Sequence, residues 1–600
     1  MPQGVPIELP PPLGGVRGDV VPYQIPPGYL WRSLNVLERY GRLRTRQGLR
    51  PTAAAGPGSR IVGGQAFTTA AGVDQTVAAT PSGWWRLGPA AWVDISGSVL
   101  TGSVDDPARF VVFPSSGINW LVGVNNANVP QKWNGVAGTF VPVGGSPPIA
   151  KDITVASNFI VLGNVVESGV RSPSRIRVSN FNDLDLWTQY GPADLTDSND
   201  DIVAVRGLTR TTFAVHKSKS IWLGYAQLGL FPFQFERMEV CPGPCSPAAV
   251  VQVDQEHYVL STDLRVRKFN GSKAVVVSEP VEYYLQTAGL PTTFRSVNRA
   301  RAWGVYDALN RVVWFCFPGP MGPDPMVAIT LDIDTGTIHP HVFPFPITAG
   351  WEGHDISSLS WDDLLIYADW LGGAFEATYP DWDSFGGTLE PTSFIGSVAG
   401  QVYRQRYLAR DDTYDIPVVW EFPLKPWLGL QHHTHLDGVE SFFQQQTGGP
   451  IVRIDVGVSD ALAEVVDPVY TTIGHHNTAL ASRQKFTIPN LDMRFWSIRF
   501  GAAGSLQFLG GMANAWPEEV PESGSLPQTM VNVLPLTVTP TAGLESVIVT
   551  GAFATDYMVA IETSWPTMYG ISGKTATQFT ITLGTPVPAG GVIRCKVITS

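Results

Sequence analysis

Short apolar runs rich in Val, Ile and Trp, broken by Gly, Asn, Pro and Ser, recur through residues 60–405 in a faint repeat. Each unit opens with a β-branched strand and runs into a second. It closes on a third that ends in an aromatic or basic residue beside Gly or Asn. The first strands begin near Ile61, Arg109, Asp152, Asp201, Ala249, Val297 and Ile356. That spacing, roughly 45 to 55 residues, suits four-stranded propeller blades. A blade cannot bury both faces of its sheet alone, so the pattern predicts about seven blades stacked into a ring. Local signals agree. Thr76-Val77-Ala78-Ala79-Thr80 leads through Pro81-Ser82-Gly83 into Trp84-Trp85-Arg86-Leu87, and Asn134-Gly135 and Asp334-Thr335-Gly336 supply turn chemistry.

Beyond residue 411 the period lengthens. Residues 416–422, 451–458, 494–500 and 506–512 alternate cleanly, as in a β-sandwich. A Pro/Glu/Ser/Gly stretch at 517–527 reads as a linker. Short strands at 546–550, 557–561, 579–583 and 591–597 then predict a small immunoglobulin-like sandwich. At the other end, Pro10, Pro11, Pro12, Pro26 and Pro27 make residues 1–28 an extended segment, expected as an arm laid on a neighbouring subunit. The predicted division is 1–55, N-terminal arm and entry strand; 56–410, β-propeller; 411–520, β-sandwich; 521–600, linker and terminal domain. The fold class is all-β, and no long amphipathic helix is expected.

Composition sharpens this picture. Nineteen Trp, 61 Gly and 49 Pro in 600 residues fit many short strands joined by tight turns. Charged residues are only 15%, which suggests surface covered by partner subunits. A net charge of −12 argues against an electrostatic DNA clamp. An acidic surface does suit a passing polyanion that must not adhere. Arg32, Arg39, Arg42, Arg44 and Arg46 crowd one short stretch, read as an interface or solvated strand. With no run of 18 apolar residues, no membrane-spanning segment is expected. No secretory signal is expected either.

Candidate chemistry is thin. His432-His433-Thr434-His435 places His433 and His435 on one strand face, where Asp437 could join them around a metal; an exposed polar loop explains the cluster as well. Cys241-Pro-Gly-Pro-Cys245 lacks two further ligands nearby. Asp194, Asp197, Asp200 and Asp201 lack the glycine and terminal glutamate of a calcium loop and read as a solvated loop. No nucleophile elbow, phosphate loop, zinc-protease helix or dinucleotide fingerprint occurs. The reading is of a protein that is not an enzyme, with no catalytic residue, cofactor or metal site.

The stretch Asn35-Val36 followed by Gly41-Arg42-Leu43-Arg44-Thr45-Arg46-Gln47-Gly48 resembles the opening of the tail nozzle and tail-stabilisation proteins of short-tailed bacteriophages. There an N-V…G-x-L-x-x-R-x-G pattern precedes a β-propeller; Gln47 stands where Pro is common. Residues 213–222, 258–271, 310–314 with 332–336, and 395–403 look similar in the same order, with Asp263-Leu264 replacing a glycine-centred turn. The resemblance implies a homohexameric ring below the portal and adaptor proteins, carrying tail fibres or spikes. Genomic DNA would pass through its lumen without tight binding, and the protein would reside in the virion. On this reading Trp31, Arg42, Arg44 and Arg46 make subunit or fold contacts. The alternatives are a receptor- or glycan-binding propeller of the tail tip and, behind it, a propeller glycosidase.

Overall fold

The computed structural model describes residues 5–518 except 40, 54, 89–90, 137, 228, 287–297, 355–390, 407–409, 428–432, 446–448, 460–467 and 494; beyond them it describes only the strands lying between 532 and 599. Six consecutive four-stranded antiparallel meanders occupy residues 63–94, 109–142, 149–194, 202–239, 250–276 and 303–342. A seventh sheet begins at Ile347–His354. The innermost strands are Gly63–Thr68, Arg109–Ser115, Ile149–Ala156, Ile202–Gly207, Val250–Val253, Trp303–Asp307 and Ile347–His354. Each packs beside the next, and the last returns to the first. The protein is therefore an all-β, seven-bladed propeller followed by two sandwiches.

Blade 7 is closed from the other end of the chain. Ile347–His354, Pro391–Ser397 and Val402–Arg406 are completed by Gly48–Pro51, with Tyr403 opposite Pro51 and Arg404 opposite Arg50. Hydrogen bonds between the two ends of the propeller sequence thus seal the ring, removing the open edge a linear stack would leave. The expected start of this blade, Ile356, lies outside the described residues, and its inner strand begins at Ile347. The insertion 355–390 stretches the spacing there and blurs the repeat. Val297 also lies outside the described residues, and blade 6 starts at Trp303.

Adjacent blades meet through a Trp-on-Gly device. A Cβ at Gly350 would stand 2.2 Å from the Trp303 ring, and one at Gly64 would stand 2.4 Å from that of Trp351. Each indole of one inner strand takes the space that a side chain on the next would need.

The sandwich corrects the reading of the N-terminus as an arm on a neighbour. One sheet runs Val36–Arg39, Arg42–Thr45, Gln507–Glu518, His433–Phe443, Arg483–Met493, with Val5–Leu9 also paired to Gln507–Glu518. The other runs Arg32–Leu34, Pro417–Glu421, Phe495–Ala503, Ile451–Ser459, Val469–Asn477. The physical reason is the spacing of apolar residues between the prolines. Leu9, Val16, Leu30, Val36 and Leu43 are all buried, in one core with Trp420, Phe443, Phe500 and Phe508. Trp420 stacks on Phe500 at 5.1 Å. That core continues into blades 5 and 6 through Val251, Val313 and Phe315, so propeller and sandwich share one interior.

The terminal region forms two three-stranded sheets, Asn532–Val538 with Ile593–Thr599 and Tyr557–Thr563, and Ser546–Thr550 with Gln578–Leu583 and Tyr569–Ser572. Most of the 517–527 linker lies outside the described residues.

Candidate functional site

Of the four residues singled out in the sequence, Arg46 holds the most central place. Its side chain is buried and all five of its N–H donors are used. It donates to both oxygens of Asp411, to Asn35 Oδ1 at 3.0 Å, to Gln47 O at 2.9 Å and to Val342 O at 3.2 Å. The guanidinium also lies 4.1 Å from the Phe343 ring centroid. Asn35 adopts a left-handed backbone (φ 58°), accessible to Asn at little cost. It accepts a second hydrogen bond from Val342 N and donates to Pro417 O at 2.7 Å. One cluster therefore clasps the entry segment, the outer strand of blade 6, the chain leaving blade 7 and the sandwich. No local pattern pairs Arg46 with a carboxylate 365 positions away.

Two of the other three serve the same joint. Arg44 is buried and donates to Asn310 Oδ1 at 3.1 Å, joining sandwich to blade 6. Trp31 is buried against Tyr283 and Tyr284, at 5.6 and 6.4 Å between ring centroids, on the helical turn Glu282–Gln286 between blades 5 and 6. Its backbone N–H donates to Glu421 O, and its carbonyl accepts the Tyr284 hydroxyl. Arg42 is exposed and, among the described residues, donates to the side chains of Gln444 and Gln507.

The chemical candidates are dispersed. His432 lies outside the described residues, and His435 falls within the strand His433–Phe443, not in a loop. Among the described residues no group of three His, Cys, Asp or Glu is disposed to hold a metal. Cys241 is half-buried and Cys245 buried, both free. Burial pushes their thiols up to about 11 and about 12. The acidic run is not a solvated loop throughout. Asp200 is buried in an ion pair with Lys217 at 2.7 Å and accepts from Ser220, while Asp194 pairs with Arg175. The amide N–H groups of Asp334 and Thr335 donate to Asp332, in the turn the sequence predicted.

Two features escaped the sequence. The first is a polar network among the inner strands. Asp152 of blade 3 accepts from Arg206 and from Val205 N of blade 4, while Arg206 reaches on to Pro247 O before blade 5. Four buried histidines lie at seams or beside them. His216 meets His257 at 3.0 Å between blades 4 and 5; His339 meets Ser33 at 3.1 Å between blade 6 and the sandwich; and His341 bonds Thr330 within blade 6. Burial lowers His257 and His339 to about 4, and holds His216 and His341 well below the ordinary imidazole range.

The second is a pair of concavities. One of about 260 Å³ lies where blades 1, 6 and 7 meet, bordered by Phe67, Asp74, Tyr306, Glu352 and His354. Its walls, with Asp307 behind them, push the Glu352 carboxyl up to about 7. A smaller one lies at the start of the inner strands, lined by Arg60, Arg109 and Arg301. Neither position shows any local motif, since each is assembled from several blades.

No family model matches the chain, and no curated protein sequence matches it. Among solved structures it is similar to BamB from Moraxella catarrhalis at 11% identity and a TM-score of 0.31, over 68% of this chain and 99% of that one. It is also similar to BBS1N in complex with ARL6DN at 11% identity and a TM-score of 0.36, over 63% and 97%. Likenesses of that degree carry no functional weight. The sheet topology itself defines the class, an all-β propeller with appended sandwiches.

Proposed function

We propose that this protein is a structural component of a bacteriophage tail, a nozzle or hub ring set below the portal and adaptor. In that place it conducts or retains genomic DNA, anchors other tail parts, and performs no catalysis. One observation carries the reading. The residues that make the sequence resemble nozzle proteins are the clasp of this fold. Asn35 and Arg46 tie blade 6 to the sandwich, Leu43 is buried in the shared core, and Gly48 begins the strand that seals blade 7. The other similar stretches fall on corresponding parts of blades 4 to 7, at second and third strands and their turns. A ring locked at both its seam and its neighbouring sandwich suits a part that transmits load.

The DNA path in this reading lies between copies. The inner strands of a single propeller pack directly beside one another, and a homohexamer would enclose the lumen among its subunits. Net negative charge around such a lumen keeps phosphates from adhering, because each Lys or Arg that pairs a phosphate adds salt-sensitive affinity. Native mass spectrometry and negative-stain imaging of the purified protein, or of protein mixed with its portal and adaptor, test this. Closed rings with weak duplex-DNA binding near physiological salt are expected. A protein that stays monomeric in both settings and binds glycans would overturn the proposal in favour of a receptor-binding propeller. Tight, steeply salt-dependent DNA binding would remove the sliding conduit.

A further inference from the structure

The smaller concavity lies at the mouth of the propeller axis, on the side where the inner strands begin. Its walls come from the first residues of the inner strands of blades 1, 2, 6 and 7 and from Ala248 before blade 5. Three guanidiniums converge on it. Arg60 donates to Asp324 at 2.6 Å, and Arg301 donates to Asp324 at 2.9 Å and to Asp105 at 2.6 Å. These two arginines and two carboxylates neutralise one another.

Arg109 is different. Its Nε stands 3.6 Å from Asp152, too far for a hydrogen bond, and Asp152 is already engaged by Arg206 and Val205 N. Among the described residues the Arg109 side chain donates no hydrogen bond. Among the described residues four guanidiniums (60, 109, 206, 301) share three carboxylates (105, 152, 324), so Arg109 and Arg206 have Asp152 between them. The side chain is walled in by protein yet keeps 26% of its surface open, as a group facing a narrow channel does. Burial, and then the like charge of Arg206, push its pKa down to about 9, with the nearby Asp152 opposing them only in part. Arginine does not discharge readily, so a guanidinium that shares its one carboxylate with Arg206 favours an added anion.

We infer that this axial mouth is a binding site for one compact oxyanion of the phosphate or sulfate type, with Arg109 as its principal ligand and Arg60 and Arg301 on its rim. The planar fork of a guanidinium matches two oxygens of such an anion. The cavity holds about 30 Å³. At roughly 10 to 15 Å³ per water, that is room for a couple of waters, hence for one small oxyanion and not for a nucleotide. The site stands apart from the tail assignment and does not depend on it.

The test uses the full chain with inorganic phosphate as the probe and chloride at matched ionic strength as the reference. Phosphate is expected to raise the thermal midpoint beyond chloride and to broaden the ³¹P resonance saturably. Arg109→Gln should weaken phosphate affinity about tenfold or more, the equivalent of one charge-assisted hydrogen bond. Ala248→Leu fills the cavity while leaving every charge in place, and should remove the effect too; it decides the matter if Arg109→Gln does not fold. No phosphate-specific response in the wild type, or an undiminished one in a folded variant, would overturn the site.

Discussion

Arg46 and Arg42 are four residues apart in one arginine-rich stretch, yet burial separates their roles entirely. Removing one partner of a fully hydrogen-bonded buried pair leaves the other charge stranded, which costs about 3–5 kcal/mol. Arg46→Ala is therefore expected to lower stability by that order, stranding Asp411 with only its remaining neighbours. Arg42→Ala should stay within about 0.5 kcal/mol, as exposed changes usually do. Chemical denaturation of the two variants side by side checks both; equal effects would refute the clasp. From the sequence Arg42, Arg44 and Arg46 all read alike as subunit or fold contacts, because charge and spacing are local. Sequence alone could not tell buried from exposed, because that depends on Asp411 and Asn310, far away in the chain. The departure at Asp263-Leu264 was also legible: Leu264 holds the left-handed backbone (φ 67°) that glycine would take there.

At the scale of elements, the blades were readable and the entry segment was not. Each blade is a local meander whose turns announce themselves, so the strands around Trp84 and Trp133 fall where expected. The N-terminal strands pair with partners some four hundred residues later, and no periodicity encodes such a pairing. Two variants probe the joints they create. Trp31→Ala should cost about 3–5 kcal/mol, as for a packed core aromatic, by loosening the contact with Tyr283 and Tyr284. Gly350→Ala forces a methyl toward the Trp303 ring, and overpacking of that kind costs typically about 1–3 kcal/mol. A Gly350→Ala protein as stable as the wild type would show that the inner strands can part without penalty, contrary to a tightly stacked ring.

For the whole molecule, charge is unevenly spread and its buried part sets the response to pH. Asp355, Asp362, Asp363, Asp369, Glu376, Asp381, Asp383 and Glu390 follow one another with no Lys or Arg between, so much of the net −12 belongs to one insertion in blade 7. The rest of the sequence is nearer to balance, and titration of the buried groups sets the dependence of stability on pH. His257 and His339 have folded pKa values of about 4 against 6.5 when unfolded, because burial disfavours the imidazolium; Arg206 adds to this at His257. Their lowered values mean that the unfolded chain takes up protons first. The stability they protect is complete above about pH 6.5 and is lost as pH falls toward 4. At pH 5 each forfeits roughly 2 kcal/mol, and His216 and His341 add in the same direction. Glu38 and Glu352 act oppositely, since their carboxyls are raised to about 8 and about 7. Their contribution is complete below about pH 4.5 and is lost as pH rises through those values. Stability should therefore fall steeply on acidification from pH 6.5 to 4. Because His216 with His257 spans blades 4 and 5, and His339 spans propeller and sandwich, the loss should appear at those seams. Hydrogen exchange at pH 7 and pH 5 should reveal faster opening around residues 202–217 and 338–342 than around blades 1 and 2. Replacing His257 with Gln should flatten the acid limb. An acid limb unchanged in that variant, or uniform exchange across all blades, would show that the seam histidines do not govern the response.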